Sequence, residues 1–190
     1  MTNKKLVEMN ENFMYGIGAL KYNGAKVGYV EKNSFDLGGK KPEAAKIEAE
    51  QKPGVPVLVI AQTNGTISPS FNMIQLNFES LKQFLGGELH KKGDKITGWT
   101  SPSSAMVMEG AWEIALVSGQ SILIPNATLL SDLGGKLTLT ETAKIEVTLE
   151  VSAPKVDKVP PYGIFASDSL PDEWSKENGW LLPKEADAEE

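Results

Sequence analysis

A short amphipathic segment, residues 77–85, is the one strong helical signal in a chain whose other patterns indicate β-strands. Four large apolar residues recur there at helical spacing and form one stripe: Phe78, Leu81, Phe84 and Leu85. Asn77 is suited to cap the start, and the Gly-Gly pair that follows is suited to end the helix. A lone amphipathic helix buries its stripe only against another element. The pattern therefore predicts a mainly β domain, an antiparallel β-sandwich or partly open barrel, with one flanking α-helix.

The composition excludes several classes of function. The chain has no cysteine, which excludes disulfides, thiolate catalysis and thiolate metal sites. All 19 basic residues are lysine, so the planar fork that binds phosphates and guanine edges in two contacts is missing. With a net charge of −6, a sequence-reading nucleic-acid binder is disfavoured. No apolar run reaches the length of a membrane span, and we expect no secretory signal.

The net charge is concentrated at one end of the chain. After residue 165 the sequence has eight acidic residues and two lysines, whereas the rest has equal numbers of each. We therefore predict a flexible N-terminal arm (residues 1–13), a β domain (14–165) and an acidic C-terminal extension (166–190). The extension contains two tryptophans, and the sequence leaves open whether it is a docking segment or a disordered tail.

The strand signals differ in clarity along the chain. Two strands, 17–22 and 25–30, flank Asn23-Gly24, a dipeptide typical of the type I′ turn of a tight hairpin. Residues 55–60 are almost continuously apolar, which predicts a strand buried on both faces. The clearest strand is 144–151, where apolar and polar residues alternate.

The remaining segments are predicted to be mostly loops. Residues 31–45 and 88–110 contain many Gly, Lys, Ser and Pro residues and indicate two long loops or arms. Pro125 indicates a strand end or a sheet edge, and a further strand is predicted at 136–140. After Pro154 the pattern predicts a loosely structured chain.

No pattern supports catalysis. The single histidine, His90, lies in a lysine-rich segment that predicts a solvated loop, and without it no catalytic triad can form. Four carboxylates alternate with apolar residues in predicted strands, as solvated sheet residues do: Glu48, Glu50, Glu146 and Glu150. We predict no catalytic residue, no cofactor site and no metal site, and hence a protein that is not an enzyme.

The order of elements resembles the tail tube proteins, or major tail proteins, of long-tailed bacteriophages and prophages. The resemblance covers about residues 15–165. It is carried by Gly18–Gly24 and Gly28–Val30 in the first hairpin, the Gly38-Gly39-Lys40-Lys41-Pro42-Glu43 segment, the helix ending Phe84-Leu85-Gly86-Gly87, Trp112-Glu113-Ile114 with Ser118-Gly119, Ile124-Pro125-Asn126, and the closing strand to Pro154.

The resemblance implies a β-sandwich or barrel whose copies close into hexameric rings that stack into a tube. Strands of neighbouring copies then form a continuous inner barrel, which removes exposed sheet edges. The implied partners are other copies of the chain, a tape-measure protein and an initiator complex, while the genome passes through without specific binding and no membrane is involved. The implied location is the virion tail, and the host cytoplasm during assembly.

Two sets of residues are predicted to serve such a tube. Large apolar residues of the two long loops are candidates for contacts between subunits, with local packing as the alternative: Phe35, Leu37, Trp99, Met106 and Met108. The polar residues of the alternating strand are candidates for the face that lines the water-filled lumen: Lys144, Glu146, Thr148 and Glu150. The main alternative function is a monomeric β-sandwich module that binds carbohydrate or peptide, and an enzyme with paired carboxylates ranks third.

Overall fold

The computed structural model describes residues 13–104, 106–171, 174 and 177–179. It confirms a mainly antiparallel β domain with one helix in these residues. The elements are β1 (Ile17–Tyr22), β2 (Ala25–Lys26), β3 (Ala44–Ile47), β4 (Leu58–Ala61), β5 (Ser70–Met73), α1 (Phe78–Leu85), β6 (Glu88–Lys92), β7 (Lys95–Thr100), β8 (Met108–Leu116), β9 (Gln120–Gly135), β10 (Ala143–Val151) and β11 (Gly163–Ala166). The predicted N-terminal arm, apart from Phe13, and most of the predicted C-terminal extension lie outside the described residues.

A seven-stranded sheet forms the body, in the order β2-β1-β8-β9-β10-β5, with β11 paired to one end of β9. The first hairpin turns at Asn23-Gly24, where both residues have positive φ angles of 48° and 80°, as a type I′ turn requires. The clearest predicted strand is confirmed as β10. Its apolar residues Ile145, Val147 and Leu149 are all buried, and its polar residues lie on the opposite face.

The sheet curls so that strands far apart in its order come into contact. In a flat sheet β8 and β5 would lie about 14 Å apart, three strand spacings, because β9 and β10 separate them. Yet the rings of Trp112 on β8 and Phe71 on β5 have their centroids 5.8 Å apart. Tyr22 on β1 lies 4.9 Å from Trp112, so the core is enclosed by a curved sheet.

Residues 25–36 join the two ends of this curved sheet. At one end the Val27 amide donates to the Leu20 carbonyl oxygen at 2.9 Å, and at the other the Glu31 amide donates to the Asn72 carbonyl oxygen at 2.8 Å. Two further hydrogen bonds pair the backbone of Asp36 with that of Ser70. Residues 31–43 contain no named strand or helix, as the predicted long loop 31–45 requires, but the first half of this loop is an irregular edge segment held to β5 by backbone hydrogen bonds.

Helix α1 closes one opening of the curved sheet. Phe84 is fully buried, with its ring centroid 6.2 Å from those of both Tyr22 and Trp112. The Ser131 hydroxyl donates to the Phe84 carbonyl oxygen and joins the last helical turn to β9. The predicted cap is present, since the Ser80 amide donates to Asn77 Oδ1 at 2.6 Å. Of the rest of the stripe, Leu81 and Leu85 are partly buried against the core, and the side chain of Phe78 is 43% exposed.

Strand β9 is longer than the sequence indicates, and Pro125 lies inside it. The β8–β9 register shifts between Gly110 and Trp112, which leaves an extra residue on β9 at this bulge. On its other side, β9 pairs with β11 before the bulge and with β10 after it. Pro125 therefore lies between two pairing partners, where a backbone without an N–H group is tolerated. The predicted strand 136–140 is also wrong, because β9 ends at Gly135 and a bend follows.

Two further elements correct the predicted loops. Residues 88–100 form the hairpin β6–β7, whose many lysines and glycines had indicated a loop. Beyond Pro154 the chain forms β11 and is not loose throughout. The helix found in the described part of the chain is neither long enough nor apolar enough to cross a membrane.

The contrast between Phe84 and Phe78 tests the role of α1. We expect Phe84→Ala to lower the free energy of unfolding by about 3–5 kcal/mol, because it leaves a cavity against Trp112. Phe78→Ala removes the same atoms from a half-exposed position and should cost much less. Urea denaturation followed by tryptophan fluorescence measures both, and equal losses for the two variants would show that α1 does not close the core.

Candidate assembly surfaces

The polar residues of β10 form part of a larger outward face. In the pairing register, Asp132 of β9 lies opposite Glu146, and Leu130 lies opposite Thr148. On the other side of β10, Asn72 of β5 lies opposite Glu146. Directly opposite residues of an antiparallel pair share a face. The predicted lumen residues Lys144, Glu146, Thr148 and Glu150 are thus brought together with residues of two neighbouring strands.

This outward face carries an excess of negative charge. We define the acidic face as Glu31, Asp132, Lys144, Glu146 and Glu150, which hold four carboxylates and one ammonium group. Asp132 and Glu146 are both exposed and face one another, and like charges in directly opposed positions are destabilising. A surface with this charge attracts water and cations and repels phosphate groups.

One carboxylate of the acidic face is held by defined partners. The side-chain amide of Asn72 donates to Glu31 Oε2 at 2.6 Å, and Lys144 Nζ lies 3.2 Å from the same oxygen. The Asn72 hydrogen bond is the largest cause, and Lys144 the next, of a pKa for Glu31 below its ordinary value of 4.5. These contacts join the edge segment 30–36 to β5 and β10.

A second surface is the hairpin formed by β3 and β4, which we name the apolar hairpin (residues 44–61). Its large apolar side chains are roughly half exposed, from 47% to 64%: Ile47, Val55, Val57, Leu58, Val59 and Ile60. The register places Ile47 opposite Leu58 on one face, while Val59 lies on the other face opposite Lys46. The prediction that residues 55–60 are buried on both faces is therefore wrong within a single chain.

The apolar hairpin is attached to the body only at its base. The backbones of Lys40 and Thr66 exchange two hydrogen bonds of 3.0 and 3.2 Å, and the Gln62 amide donates to the Glu43 carbonyl oxygen at 2.8 Å. Beyond this base, β3 and β4 pair only with each other among the described strands. The outer edges of both strands are therefore available for hydrogen bonding to another strand.

The five residues predicted to contact neighbouring subunits lie in different environments. Phe35, Leu37 and Met108 pack against the core of their own chain, and the Phe35 ring stacks on Phe71 with centroids 6.3 Å apart. Trp99 is half-buried, and its indole N–H donates to the Gly86 carbonyl oxygen at 2.7 Å. Met106, at 55% exposure, is the one most accessible to a partner. The structure gives the first three a role in packing, and contact of any of the five with a neighbour stays a prediction.

The side chains considered for catalysis are not brought together. His90 is exposed on β6, and its Nε2 lies 3.2 Å from the Thr100 hydroxyl. Glu146 and Glu150 share a face of β10 but are four residues apart, about 13 Å along a strand, which exceeds the spacing of paired glycosidase carboxylates. Within the described ranges, no three His, Asp or Glu side chains are placed to hold a metal ion.

Comparisons with known proteins add no relative to this description. No protein-family model matches the chain. The search of curated proteins also returned no match. The acidic face and the apolar hairpin are therefore interpreted from their own geometry.

The contacts of Glu31 predict a specific dependence of stability on pH. Because the pKa of Glu31 is lowered in the folded protein, its contribution is fully present above pH 4.5, the ordinary value, and is lost as the pH falls through the folded-state pKa. We expect Glu31→Gln to be less stable than the wild type at neutral pH, with a difference that shrinks in acid. Urea denaturation over a pH series measures this difference.

Glu146→Gln is the matched control, since Glu146 lies on the same face and accepts no hydrogen bond from a described side chain. This variant should be as stable as the wild type or slightly more stable at neutral pH, because it relieves the repulsion from Asp132. A Glu31→Gln effect that is constant from neutral to acidic pH would contradict the assignment.

Proposed function

We propose that the protein is a structural subunit of a phage, or phage-derived, tail tube and has no enzymatic activity. Its copies would form hexameric rings that stack into the conduit for genome delivery, with a tape-measure protein and an initiator complex as further partners. The proposal combines the sequence resemblance to tail tube proteins with one structural observation. That observation is the apolar hairpin, which is fixed at its base and whose large apolar side chains stay about half exposed in the described part of the chain.

The exposure of the apolar hairpin supports a role in assembly. Monomeric proteins rarely expose contiguous apolar patches, and such patches mark interaction sites. An isolated two-stranded hairpin is also marginally stable in water, so it gains stability from a third strand or an apolar surface. Both arguments apply to the apolar hairpin. Among the described residues, no element covers either of its faces or pairs with either of its outer edges.

Another copy of the same chain is the partner that best suits this hairpin. Most homo-oligomers have closed symmetry, and a heterologous contact, in which one patch binds a different patch of the next copy, closes into a ring when the rotation between copies closes. Ring closure also protects strand edges that would otherwise promote uncontrolled aggregation. The resemblance to tail tube proteins, which assemble in this way, supports the same arrangement.

The acidic face supports a water-filled conduit. Under this proposal the four predicted lumen residues of β10 line the bore, together with Asp132 and Glu31. A negatively charged lining repels the phosphates of passing DNA and so disfavours specific contacts that would slow its passage. The absence of arginine from the chain is consistent with a bore that does not hold nucleic acid.

A second candidate function, a monomeric peptide-binding module, is favoured by one cavity. It has a volume of about 490 Å³ and lies between residues 14–17 and the edge segment 30–37. Its lining is mainly apolar and includes Tyr15, Phe35 and Leu116, and its volume falls within the range of ligand pockets. Tube formation would not require this cavity, so the two candidates make different predictions.

The decisive experiment is assembly of the purified chain at high concentration, examined by sedimentation velocity and negative-stain microscopy. We expect rings or tubes from the wild type. Leu58→Lys should abolish them while leaving the circular dichroism spectrum and the urea midpoint unchanged. The reason is that Leu58 is half exposed in one chain and would be buried between chains.

Leu139→Lys provides the matched control. Leu139 is fully exposed in the bend after β9, so the same substitution adds the same charge outside the apolar hairpin. This variant should assemble like the wild type. A wild-type chain that remains monomeric at high concentration, even when seeded with preformed tube ends, would favour the binding module.

A further inference from the structure

We propose that Asn64 is a site of spontaneous deamidation, and that the product weakens the attachment of the apolar hairpin to the body. The sequence has three Asn-Gly pairs, at residues 23–24, 64–65 and 178–179. Asparagine followed by glycine is prone to this reaction, because glycine has no side chain that shields its backbone nitrogen or restricts its movement. The fold holds the three pairs differently, and the reaction occurs whether or not copies of the chain assemble.

The reaction is an intramolecular substitution followed by hydrolysis, with water as its only co-reactant. The Gly65 backbone nitrogen attacks Asn64 Cγ, the Cγ–Nδ2 bond breaks, and the proton of the attacking nitrogen leaves with the side-chain amide as ammonia. Water then opens the resulting five-membered succinimide at one of its two carbonyl carbons. Cleavage of the new N–Cγ bond gives aspartate. Cleavage of the bond to the main-chain carbonyl carbon gives isoaspartate, whose main chain passes through Cβ and Cγ.

The Asn64-Gly65 pair is not restrained by hydrogen bonds within the described part of the chain. Asn64 is exposed and Gly65 is half-buried, in the irregular segment that follows β4. The backbone hydrogen bonds of the hairpin base lie on either side of the pair. None of them, and no side-chain hydrogen bond to a described group, involves the Asn64 side chain or the Gly65 amide. The carbon that is attacked and the nitrogen that attacks it can therefore approach each other.

Asn23 has the same sequence context but is held in place. Its backbone amide donates to the Ala111 carbonyl oxygen, and its Oδ1 accepts from the Ala111 amide, both at 2.9 Å. Its side chain also packs against Gly110, where a Cβ atom would lie 2.6 Å from Oδ1. Asn23 and Asn64 are both exposed, so hydrogen bonding and not exposure distinguishes them. Attack on Asn23 Cγ requires that the type I′ turn open first.

The third pair is restricted at its glycine. Gly179 is buried, and a Cβ atom there would lie 2.7 Å from the Val159 side chain. Packing at this density opposes movement of the Gly179 nitrogen toward Asn178 Cγ. We therefore expect Asn64 to react faster than either of the other two asparagines.

Isoaspartate at position 64 would alter the base of the apolar hairpin. Before this position the Gln62 amide donates a backbone hydrogen bond, and after it the backbones of Lys40 and Thr66 exchange two. Isoaspartate adds one backbone carbon between these two points. Gly65 leaves little room for the extra length, since a Cβ atom there would lie 3.2 Å from the Lys40 carbonyl oxygen. One set of hydrogen bonds must shift, and the hairpin then becomes less firmly attached.

Incubation of the folded, full-length chain at physiological temperature and mildly alkaline pH tests the modification site. Peptide mapping by mass spectrometry measures the conversion of each asparagine, and labelling with an isoaspartate methyltransferase identifies the isoaspartate. We expect Asn64 to react about tenfold or more faster than Asn23, because both hydrogen bonds of Asn23 must open before attack. In guanidinium chloride all three pairs should react at similar rates, since the difference comes from the fold. Equal rates for Asn64 and Asn23 in the folded chain would overturn the assignment.

Hydrogen exchange before and after incubation tests the effect on the apolar hairpin. Amides of residues 40–66 should exchange faster in the converted chain, whereas those of β8 and β9 should not change. Unchanged exchange in residues 40–66 after conversion of Asn64 would refute the weakened attachment and leave the modification site standing.

Two variants separate the causes of faster exchange. Asn64→Gln is the matched control, because glutamine must close a six-membered ring and reacts far more slowly, so incubation should leave its exchange unchanged. Asn64→Asp adds the negative charge without the extra backbone carbon and should exchange like the unincubated wild type. Faster exchange in incubated Asn64→Gln would show that residue 64 is not the cause. Faster exchange in Asn64→Asp would contradict the role of the longer backbone.

Discussion

The packing of aromatic rings about Trp112 is the interaction on which the rest of the molecule depends. Tyr22, Phe71 and Phe84 reach this indole from β1, β5 and α1, so one side chain joins both ends of the sheet and the helix. Aromatic pairs of this kind add about 0.5–1.5 kcal/mol each beyond the burial of their area. They fix the curvature of the sheet, and residues 25–36 can then hydrogen-bond to the strands at both of its ends.

This closure determines which parts of the chain remain available to a partner. Because residues 25–36 cover the edges of β1 and β5, the long edges of the main sheet are already paired within the chain. The unpaired edges in the described structure belong mainly to the hairpins β3–β4 and β6–β7, which pair only internally. Under the proposed function, assembly by strand pairing or side-chain contact would use these hairpins. One is apolar and the other cationic, so their contributions to an interface differ.

In the proposed assembly, the apolar hairpin and a charged surface would contribute differently to an interface. Burial of the apolar hairpin provides non-directional free energy, roughly 25 cal/mol for each Å² removed from water. Charge pairs contribute less to affinity and more to orientation and to the rejection of wrong contacts.

The sequence predicted those parts of the fold that local periodicity determines. The alternation in 144–151 and the stripe of α1 each reflect which side of one element is buried, and both are confirmed. The hairpin β6–β7 was missed because lysines and glycines dominate it, although Leu89 and Ile96 give a weak strand signal. Residues 30–36 were missed because they pair with β5, about 34–43 residues further along the chain. Closure through distant residues leaves no local pattern.

The wrong prediction for residues 55–60 has the same cause, because a local pattern does not show which distant surface a strand contacts. It also bears directly on function. An apolar run indicates that a strand is buried, but it does not indicate whether the surface that buries it belongs to the same chain. Among the described residues, β3 pairs with residues 58–60, and the large apolar side chains of the run remain about half exposed. A hairpin with the composition of a core strand and the exposure of a surface strand is the kind of surface that the proposed assembly would bury. Polar residues would serve a monomer better at these exposed positions, so the apolar composition supports the proposed contact with another copy.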